Sequence, residues 1–405
     1  MEIRTRPHPI LFITAFNPDS PVLLWLWTRK KLEHMTENYA ERDVQPLPGQ
    51  TNLKSALADP ANLHLVFILR GQKTVARVET LLKSILYYQG RLNETADACR
   101  LFQDEPRICA NRLVPRQKPL NIHVIGDTET RNLTQHFLTK WHLRNLKWTL
   151  YKLEDYVSTF SWMPNVHSAG STAMVKLLIP EILPPNVEKA LLIDSDVLLN
   201  DNIIELWDHF DRFNQNQMIG LEWEQRTANE QCERSSTWPI PRYGINTGVI
   251  LMHLTRLREQ QWDGLWRDGA NRYLRYKFIF TQGEQDIINE AIHIRPEIYY
   301  KLPCEWHFQL YSHISALCCP VVWPNRRMDD TDCISRADEP ESVNRPRIVR
   351  LVHFDTRPKP DDTEQEALIP PGRTNISRGL TTEEMKVRFR AMYYQFKKIP
   401  PECFR

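Results

Sequence analysis

Short apolar runs alternate with helix-like segments from residue 62 onward, and this alternation restricts the fold more than any other feature of the chain. The first run, LHLVFIL, suits a buried strand, and the segment after it has apolar residues at the spacing of a helix. In chain order these runs and segments are residues 63–69, 75–88, 120–125, 130–143, 148–153, 171–179 and 190–193. Strands separated by helices indicate βαβ units and a parallel sheet covered on both faces. We therefore predict an α/β fold with a mainly parallel central sheet.

The pattern continues through the second half of the chain with longer irregular connections. We predict a helix that begins near Gly283, helices over 203–210, 255–266 and 383–396, and strands over 244–251 and 348–354. Residues 317–347 are rich in Pro, Cys, Asp and Arg and have no periodicity, which indicates an insertion loop. Residues 62–400 are thus predicted to form a single domain.

Two carboxylates follow the most apolar strand, in the stretch LLIDSDVLLN. Side chains two residues apart on a strand point to the same face, so Asp194 and Asp196 lie side by side. A divalent cation would remove the cost of placing these charges together. A second D-x-D triplet, at residues 330–332, follows no strand, whereas ligands of α/β sheets bind beyond the carboxyl ends of strands. We therefore expect the functional site at Asp194 and Asp196.

Charge and composition exclude one class of partner and leave the N-terminus open. The net charge of +2 argues against a nucleic-acid-binding face, which needs a concentrated basic stripe. Residues 10–27 are largely apolar and follow Arg4 and Arg6, which favours a signal anchor, but polar residues 17–20 interrupt them. Residues 1–61 are therefore either a membrane anchor or an irregular stem.

The cysteines and the sequons give only weak information about the cellular compartment of the protein. The eight cysteines contain no C-x-x-C pair, which argues against a zinc knuckle, and their even number is compatible with disulfides without requiring them. Sequons at Asn93, Asn132 and Asn375 are weak indications of a lumenal protein.

The ordered motifs resemble those of one enzyme family. DSD after an apolar strand, GINTGVILM, GEQDIIN, LPCEW and HFDTRPKP are similar to the motifs of family 8 glycosyltransferases, which have a GT-A fold. The likeness covers about residues 62–310 and 348–396, and it is closest to the xylosyltransferase domain of LARGE-type xylosyl- and glucuronyltransferases. Only one such domain fits here, so the resemblance implies a single GT-A catalytic domain over 62–400, and the glucuronyltransferase activity of a second domain is not implied.

The resemblance implies a metal and diphosphate site. Asp194 and Asp196 would hold Mn²⁺, Asp194 would also approach the ribose of the nucleotide, and His353 would complete the protein ligands. Lys359, six residues after His353, would reach the diphosphate as a point charge. A packed histidine at a strand end is the alternative for His353.

The resemblance also implies residues around the donor sugar. Asn246, Gln285 and Asp286 match family positions near this sugar, and Lys176 matches a basic residue that steadies the donor. Glu284 stands where an aspartate is usual. The alternatives are charge stabilisation at a helix N-terminus for Glu284 and Asp286 and an exposed surface position for Lys176.

The implied activity is Mn²⁺-dependent transfer of a sugar from a UDP-sugar, with retention of configuration. Xylose is the preferred sugar and a glycan on a glycoprotein the acceptor, in the Golgi lumen, with a single-pass type II topology if the anchor exists. Two alternatives stay open. One is a different UDP-hexose donor, such as UDP-glucose or UDP-galactose. The other is a catalytically silent nucleotide- or glycan-binding protein, which Glu284 and Thr356, the latter in place of a family glycine, favour.

Overall fold

The computed structural model describes most of the chain from residue 62 onward, and the described residues belong to one compact unit, Asn52–Arg405. The described ranges are 62–93, 96–100, 116–141, 143–225, 244–310, 319, 321–322, 347–355, 357–362 and 382–405. Residues 1–61, the triplet at 330–332, Thr356 and nearly all of the predicted insertion loop lie outside them.

A seven-stranded sheet forms the centre of the molecule. The described strands are β1 Leu63–Leu69, β2 Leu120–Gly126, β3 Leu146–Lys152, β4 Lys189–Ile193, β5 Val197–Leu199, β6 Ile219–Trp223, β7 Ile245–His253, β8 Tyr299–Lys301, β9 Phe308–Gln309, β10 Val321–Val322, β11 Arg347–Ile348 and β12 Leu351–His353. The sheet order is β3-β2-β1-β4-β7-β6-β8. Strands β3, β2, β1 and β4 are parallel, whereas β7 runs antiparallel to both β4 and β6. The predicted mainly parallel sheet is confirmed.

Helices cover the sheet because its central strands are apolar on both sides. The described α-helices are α1 Gln72–Tyr88, α2 Thr128–Trp141, α3 Glu154–Val157, α4 Ser171–Met174, α5 Ile179–Ile182, α6 Ile203–Trp207, α7 Leu254–Glu259, α8 Trp262–Lys277, α9 Glu284–Ile294 and α10 Thr382–Lys398. In β1, Leu65, Val66 and Phe67 are all fully buried, although successive side chains point to opposite faces. Both faces of the sheet therefore contribute to the core.

Two predicted helices are interrupted in the structure. The segment predicted as one helix over 171–179 consists of α4, a 3₁₀ turn at Val175–Leu178 and α5. The helix predicted over 255–266 is divided between α7 and α8, because Gln261 adopts a left-handed conformation with φ 57°. Apolar spacing continues across both breaks, so periodicity alone does not reveal them.

The predicted final strand is also divided, and its second half builds a separate small sheet. Strand β11 pairs with β10, whereas β12 lies between β5 and β9. The antiparallel register of β12 and β5 places His353 opposite Val197. This second sheet brings the end of the chain back to the Asp194–Asp196 turn.

The described chain contains one long-range disulfide and one local disulfide. Cys99 is bonded to Cys403, at a sequence separation of 304, and Cys304 is bonded to Cys319. The first bond ties the region after α1 to the turn after α10.

Within the described part of the chain, every helix is too short or too polar to serve as a membrane span. The apolar stretch at 10–27 lies outside that part.

Candidate active site

A cleft of about 640 Å³ opens at the carboxyl ends of β1 and β4, where the sequence predicts the site. Eight of the nine predicted residues line it: Lys176, Asp194, Asp196, Asn246, Glu284, Gln285, His353 and Lys359. Because β7 is antiparallel to β4, its first residues reach the same edge and deliver Asn246. Asp286 is the predicted residue that does not line the cleft.

The acid pair sits in the turn between β4 and β5, and β12 brings an imidazole to it. The Nε2 atom of His353 lies 3.3 Å from an Asp196 oxygen and 3.9 Å from an Asp194 oxygen. One ligand atom from each of the three residues falls within 4.8 Å of the others. The backbone N–H of Phe354 also donates to the Asp196 carbonyl at 2.9 Å, which fixes the approach of β12. The predicted trio is therefore assembled in space.

Lysines neutralise the two acids in this arrangement. Lys176 Nζ lies 2.8 Å from Asp194, and Lys359 Nζ lies 2.5 Å from Asp196. Burial would raise the pKa of Asp196, but His353 and Lys359 outweigh burial and hold that pKa well below its usual range. The Asp196 carboxylate consequently stays ionised, so the predicted adjacent charges do not force a proton onto it.

Lys176 is buried rather than exposed, so the surface-lysine alternative is wrong. Only 6% of the residue is exposed, and its Nζ contacts Asp194, Glu284 at 2.9 Å and the Thr247 carbonyl at 3.0 Å. These three acceptors use all three ammonium hydrogens. Burial opposes the charge, but the two carboxylates outweigh it and raise the pKa of Lys176.

A second histidine, which the sequence reasoning missed, supports His353. The Nδ1 atom of His353 lies 3.0 Å from Nε2 of His307, and the two rings are stacked. A Cβ atom on Gly248 would overlap the His353 ring, so only glycine leaves room for it. Burial, with the charge of His353, lowers the pKa of His307 well below its usual value. The available signal was the position of His307 directly after the LPCEW motif.

Amide side chains form the other end of the cleft around a carboxylate that the sequence reasoning also missed. Glu224 Oε2 accepts hydrogen bonds from Asn246 Nδ2 and Gln285 Nε2, both at 3.1 Å. Gln285 Oε1 in turn accepts from the backbone N–H of Thr247 at 3.2 Å. Both amides are therefore held in defined orientations.

The neighbouring acids of α9 have different surroundings. Glu284 faces the cleft, accepts from the Thr247 hydroxyl at 2.9 Å and pairs with Lys176. Asp286 is fully buried and accepts from the backbone N–H groups of Thr281 and Gln282 at 2.7 and 2.8 Å. Burial raises the pKa of Asp286. The hydrogen bonds of Asp286 thus stabilise the turn before α9, and its contribution to the sugar pocket stays a prediction.

Asp355 is a further acid in the cleft, two residues after His353. Burial raises the pKa of Asp355 to about 7, although His353 counteracts part of this effect. The sequence places Asp355 inside the HFDTRPKP motif but does not indicate its burial.

Comparison with known proteins identifies the family. A family model described as glycosyl transferase family 8 matches residues 101–362, which is more than half of the chain. The chain belongs to glycosyltransferase family 8. This membership, with the mainly parallel sheet and its helices, confirms the predicted GT-A fold and the glycosyltransferase class.

Relatives of this family 8 glycosyltransferase include much longer proteins. Xylosyl- and glucuronyltransferase LARGE2 of Mus musculus is 30% identical over 259 residues, covering 64% of this chain and 34% of the relative. LARGE2s of Gallus gallus is 30% identical over 285 residues, covering 68% and 35%. The chain therefore spans about a third of the length of these curated relatives. Among solved structures, mouse xyloside xylosyltransferase 1 is 17% identical with a TM-score of 0.49, covering 73% of this chain and 98% of that one.

Proposed function

We propose that residues 62–400 form one catalytic domain that transfers a sugar, preferentially xylose, from a UDP-sugar to a glycan of a glycoprotein. The assembly of Asp194, Asp196 and His353 beside a cleft large enough for a nucleotide-sugar carries this proposal. The choice of xylose is supported by the xylosyltransferase activity for which the LARGE relatives are named.

Asp194, Asp196 and His353 would hold a divalent cation. Two carboxylates and one imidazole are a donor set that suits Mn²⁺ better than Ca²⁺, because imidazole is a borderline ligand. The bound ion would supply positive charge to the diphosphate leaving group. In the same proposal Lys359 adds a second positive charge from the protein, and Asp194 contacts the nucleotide ribose.

The amide end of the cleft would bind and orient the sugar. Gln285 and Asn246 are fixed by Glu224, so they can present their polar atoms to sugar hydroxyl groups without reorganising. With no strong nucleophile assigned, retention would follow a front-face route in which the departing phosphate takes the acceptor proton. Gln285 would then stabilise the developing positive charge on the sugar ring. Lys176 and Glu284 would hold the amide end of the cleft in a fixed position relative to Asp194.

A lumenal location, in the Golgi, completes the proposal. Disulfides form and persist in oxidising compartments, and the described chain contains the Cys99–Cys403 and Cys304–Cys319 bonds. The exposed sequon residue Asn132 is compatible with that environment.

A panel of donors tests the proposal. Thermal stability, binding and sugar release are measured with UDP-xylose, UDP-glucose and UDP-galactose, each with Mn²⁺ and with a chelator. We expect UDP-xylose with Mn²⁺ to give the largest stabilisation and measurable turnover. If only another donor is turned over, the sugar of that donor takes the place of xylose in the proposal. Binding of UDP and Mn²⁺ without turnover of any donor would contradict an enzymatic role and favour a silent binding protein.

A further inference from the structure

The turn that carries Lys359 is held from outside the cleft by helix α1. This turn, residues 357–362, is closed on itself, because Asp362 accepts from the Lys359 backbone N–H at 2.9 Å and donates its own N–H to the Lys359 carbonyl at 3.1 Å. Lys359 and Asp362 therefore move as one unit, and anything that fixes Asp362 or its neighbour also fixes the position of Lys359.

Helix α1 provides that attachment through a largely buried ion pair. Arg77 Nε lies 2.6 Å from Asp361 Oδ1, and the two side chains are only 11% and 10% exposed. Arg77 Nη2 lies 3.9 Å from Asp362. Lys73 contacts Asp362 at 3.2 Å, but this lysine is 71% exposed, and exposed pairs contribute little. Arg77 is consequently the main anchor among the described contacts of the turn.

Beyond the anchor, the Lys359 ammonium is aimed at the acid pair. It donates to Asp196 and, at 2.7 Å, to the Phe354 carbonyl. Neither Arg77 nor Asp361 lines the cleft, whereas Thr74, one turn earlier on α1, does. The anchor therefore acts on the cleft through the turn, and it ties that turn to a helix that itself contributes Thr74 to the cleft wall.

We propose that Arg77 and Asp361 are positioning residues that place the Lys359 ammonium for diphosphate binding. This inference rests on the proposed role of Lys359, and it assigns a function to an ion pair outside the cleft. Loss of the pair leaves the nucleoside-binding surface unchanged but lets the turn, and with it Lys359, move away from the phosphate position.

The test compares UDP with uridine, which lacks the diphosphate, by calorimetry with Mn²⁺ present. We expect Asp361→Asn to weaken UDP binding about tenfold, the size of one charge-assisted hydrogen bond, and to leave uridine binding unchanged. Asp361→Glu keeps the charge and should retain most of the affinity. Asp263→Asn is a control for the loss of an ion pair away from the cleft, because it removes the Arg267 pair of 2.9 Å on α8, outside the residues that line the cleft, and it should change the binding of neither ligand.

A double-mutant cycle with Lys359→Ala decides whether the pair acts through Lys359. In the Lys359→Ala background, Asp361→Asn should have no further effect on UDP affinity. The inference is overturned if UDP affinity is unchanged, if uridine and UDP weaken equally, or if the same factor is lost in both backgrounds. If Asp361→Asn does not fold, Arg77→Gln tests the same ion pair by changing its partner on helix α1.

The same data separate this inference from the proposed function. If Lys359→Ala weakens UDP binding and Asp361→Asn does not, only the positioning role fails. If Lys359→Ala itself leaves UDP affinity unchanged, the proposed role of Lys359 fails, and the positioning inference fails with it.

Discussion

At one end of the cleft opposite charges meet directly, whereas at the other end neutral amides are fixed by hydrogen bonds. The charged end consists of Asp194, Asp196, His353 and Lys359, whose side chains come from two segments far apart in sequence. The amide end consists of Glu224, Asn246, Thr247 and Gln285, joined by contacts of 3.1 to 3.2 Å. Lys176 connects the two through Asp194 and the Thr247 carbonyl.

This difference indicates that the two ends of the cleft have separate roles. Carboxylates paired with lysines can exchange those partners for a cation, and the lysines can exchange theirs for a phosphate, because each keeps a charge-assisted contact. Amides held at both polar atoms keep their orientation and suit recognition of a neutral sugar. We therefore expect changes at the charged end to remove nucleotide binding and changes at the amide end to slow sugar transfer.

The largest expected effect comes from Asp196→Asn. Replacing a proposed metal ligand should weaken Mn²⁺-dependent UDP binding by more than about 100-fold, since even outer-shell changes cost about 10- to 100-fold. Calorimetry measures the affinity, and circular dichroism checks that the fold is kept. A folded variant that binds UDP and Mn²⁺ like the parent would refute the metal assignment.

Gly248→Ala should displace His353 at the charged end of the cleft. The added Cβ would overlap the His353 ring and approach His307 Nε2 to 3.1 Å, so His353 has to move. We expect a loss of about 1–3 kcal/mol in the free energy of unfolding, the usual cost of overpacking, together with weaker Mn²⁺ binding. Gly264→Ala is the control, because nothing lies within 4 Å of its added Cβ. Urea unfolding of both variants would show whether the effect is specific to Gly248.

Glu224→Ala tests the amide end. It removes the common acceptor of Asn246 and Gln285 and frees both amides to reorient. We expect kcat for sugar transfer to fall by about 10- to 100-fold through misplacement, while UDP affinity stays unchanged. Equal losses in UDP affinity and kcat would mean that the two ends do not act separately.

The last effect concerns stability rather than binding or turnover, at a partly buried acid outside both ends. Burial, with repulsion from Asp263, raises the pKa of Glu181 from 4.5 to about 7, and Arg267 offsets this only in part. The native state keeps a proton that the unfolded state releases between these values, so stability falls as pH rises through that window. Glu181→Gln lacks this loss and should gain about 1–3 kcal/mol relative to the parent between about pH 5 and about pH 8. Urea unfolding at the two pH values measures the difference, and a pH-independent difference would contradict the assignment.

The parallel half of the fold was predictable because its strands are continuous apolar runs bounded by polar residues. Residues 63–69 match β1 as predicted, and the predicted helix at 383–396 is α10 with small extensions. The short strand β5 and the division of residues 348–354 were not predictable. Two- and three-residue strands carry no periodicity, and pairing with distant segments decides them.

The residues of the candidate site were likewise predictable only where the nearby sequence marks them. Asp194 and Asp196 are visible because a strong strand precedes them, and His353 and Lys359 because a family motif contains them. Glu224 contacts these motifs only in the folded chain, from a position with no local signal, and His307 is indicated only by its place directly after LPCEW. Likewise, the burial of Lys176 depends on its contacts with both Glu284 and Asp194. The spacing of these residues in the sequence does not indicate the contacts.

The bond between Cys99 and Cys403 encloses Lys176, Lys359 and every cleft residue between them in one covalent loop. A protease cut anywhere inside that loop leaves a two-chain molecule that migrates as a single species until a reductant is added. The disulfide holds the two fragments of such a clipped enzyme together after its backbone continuity is gone.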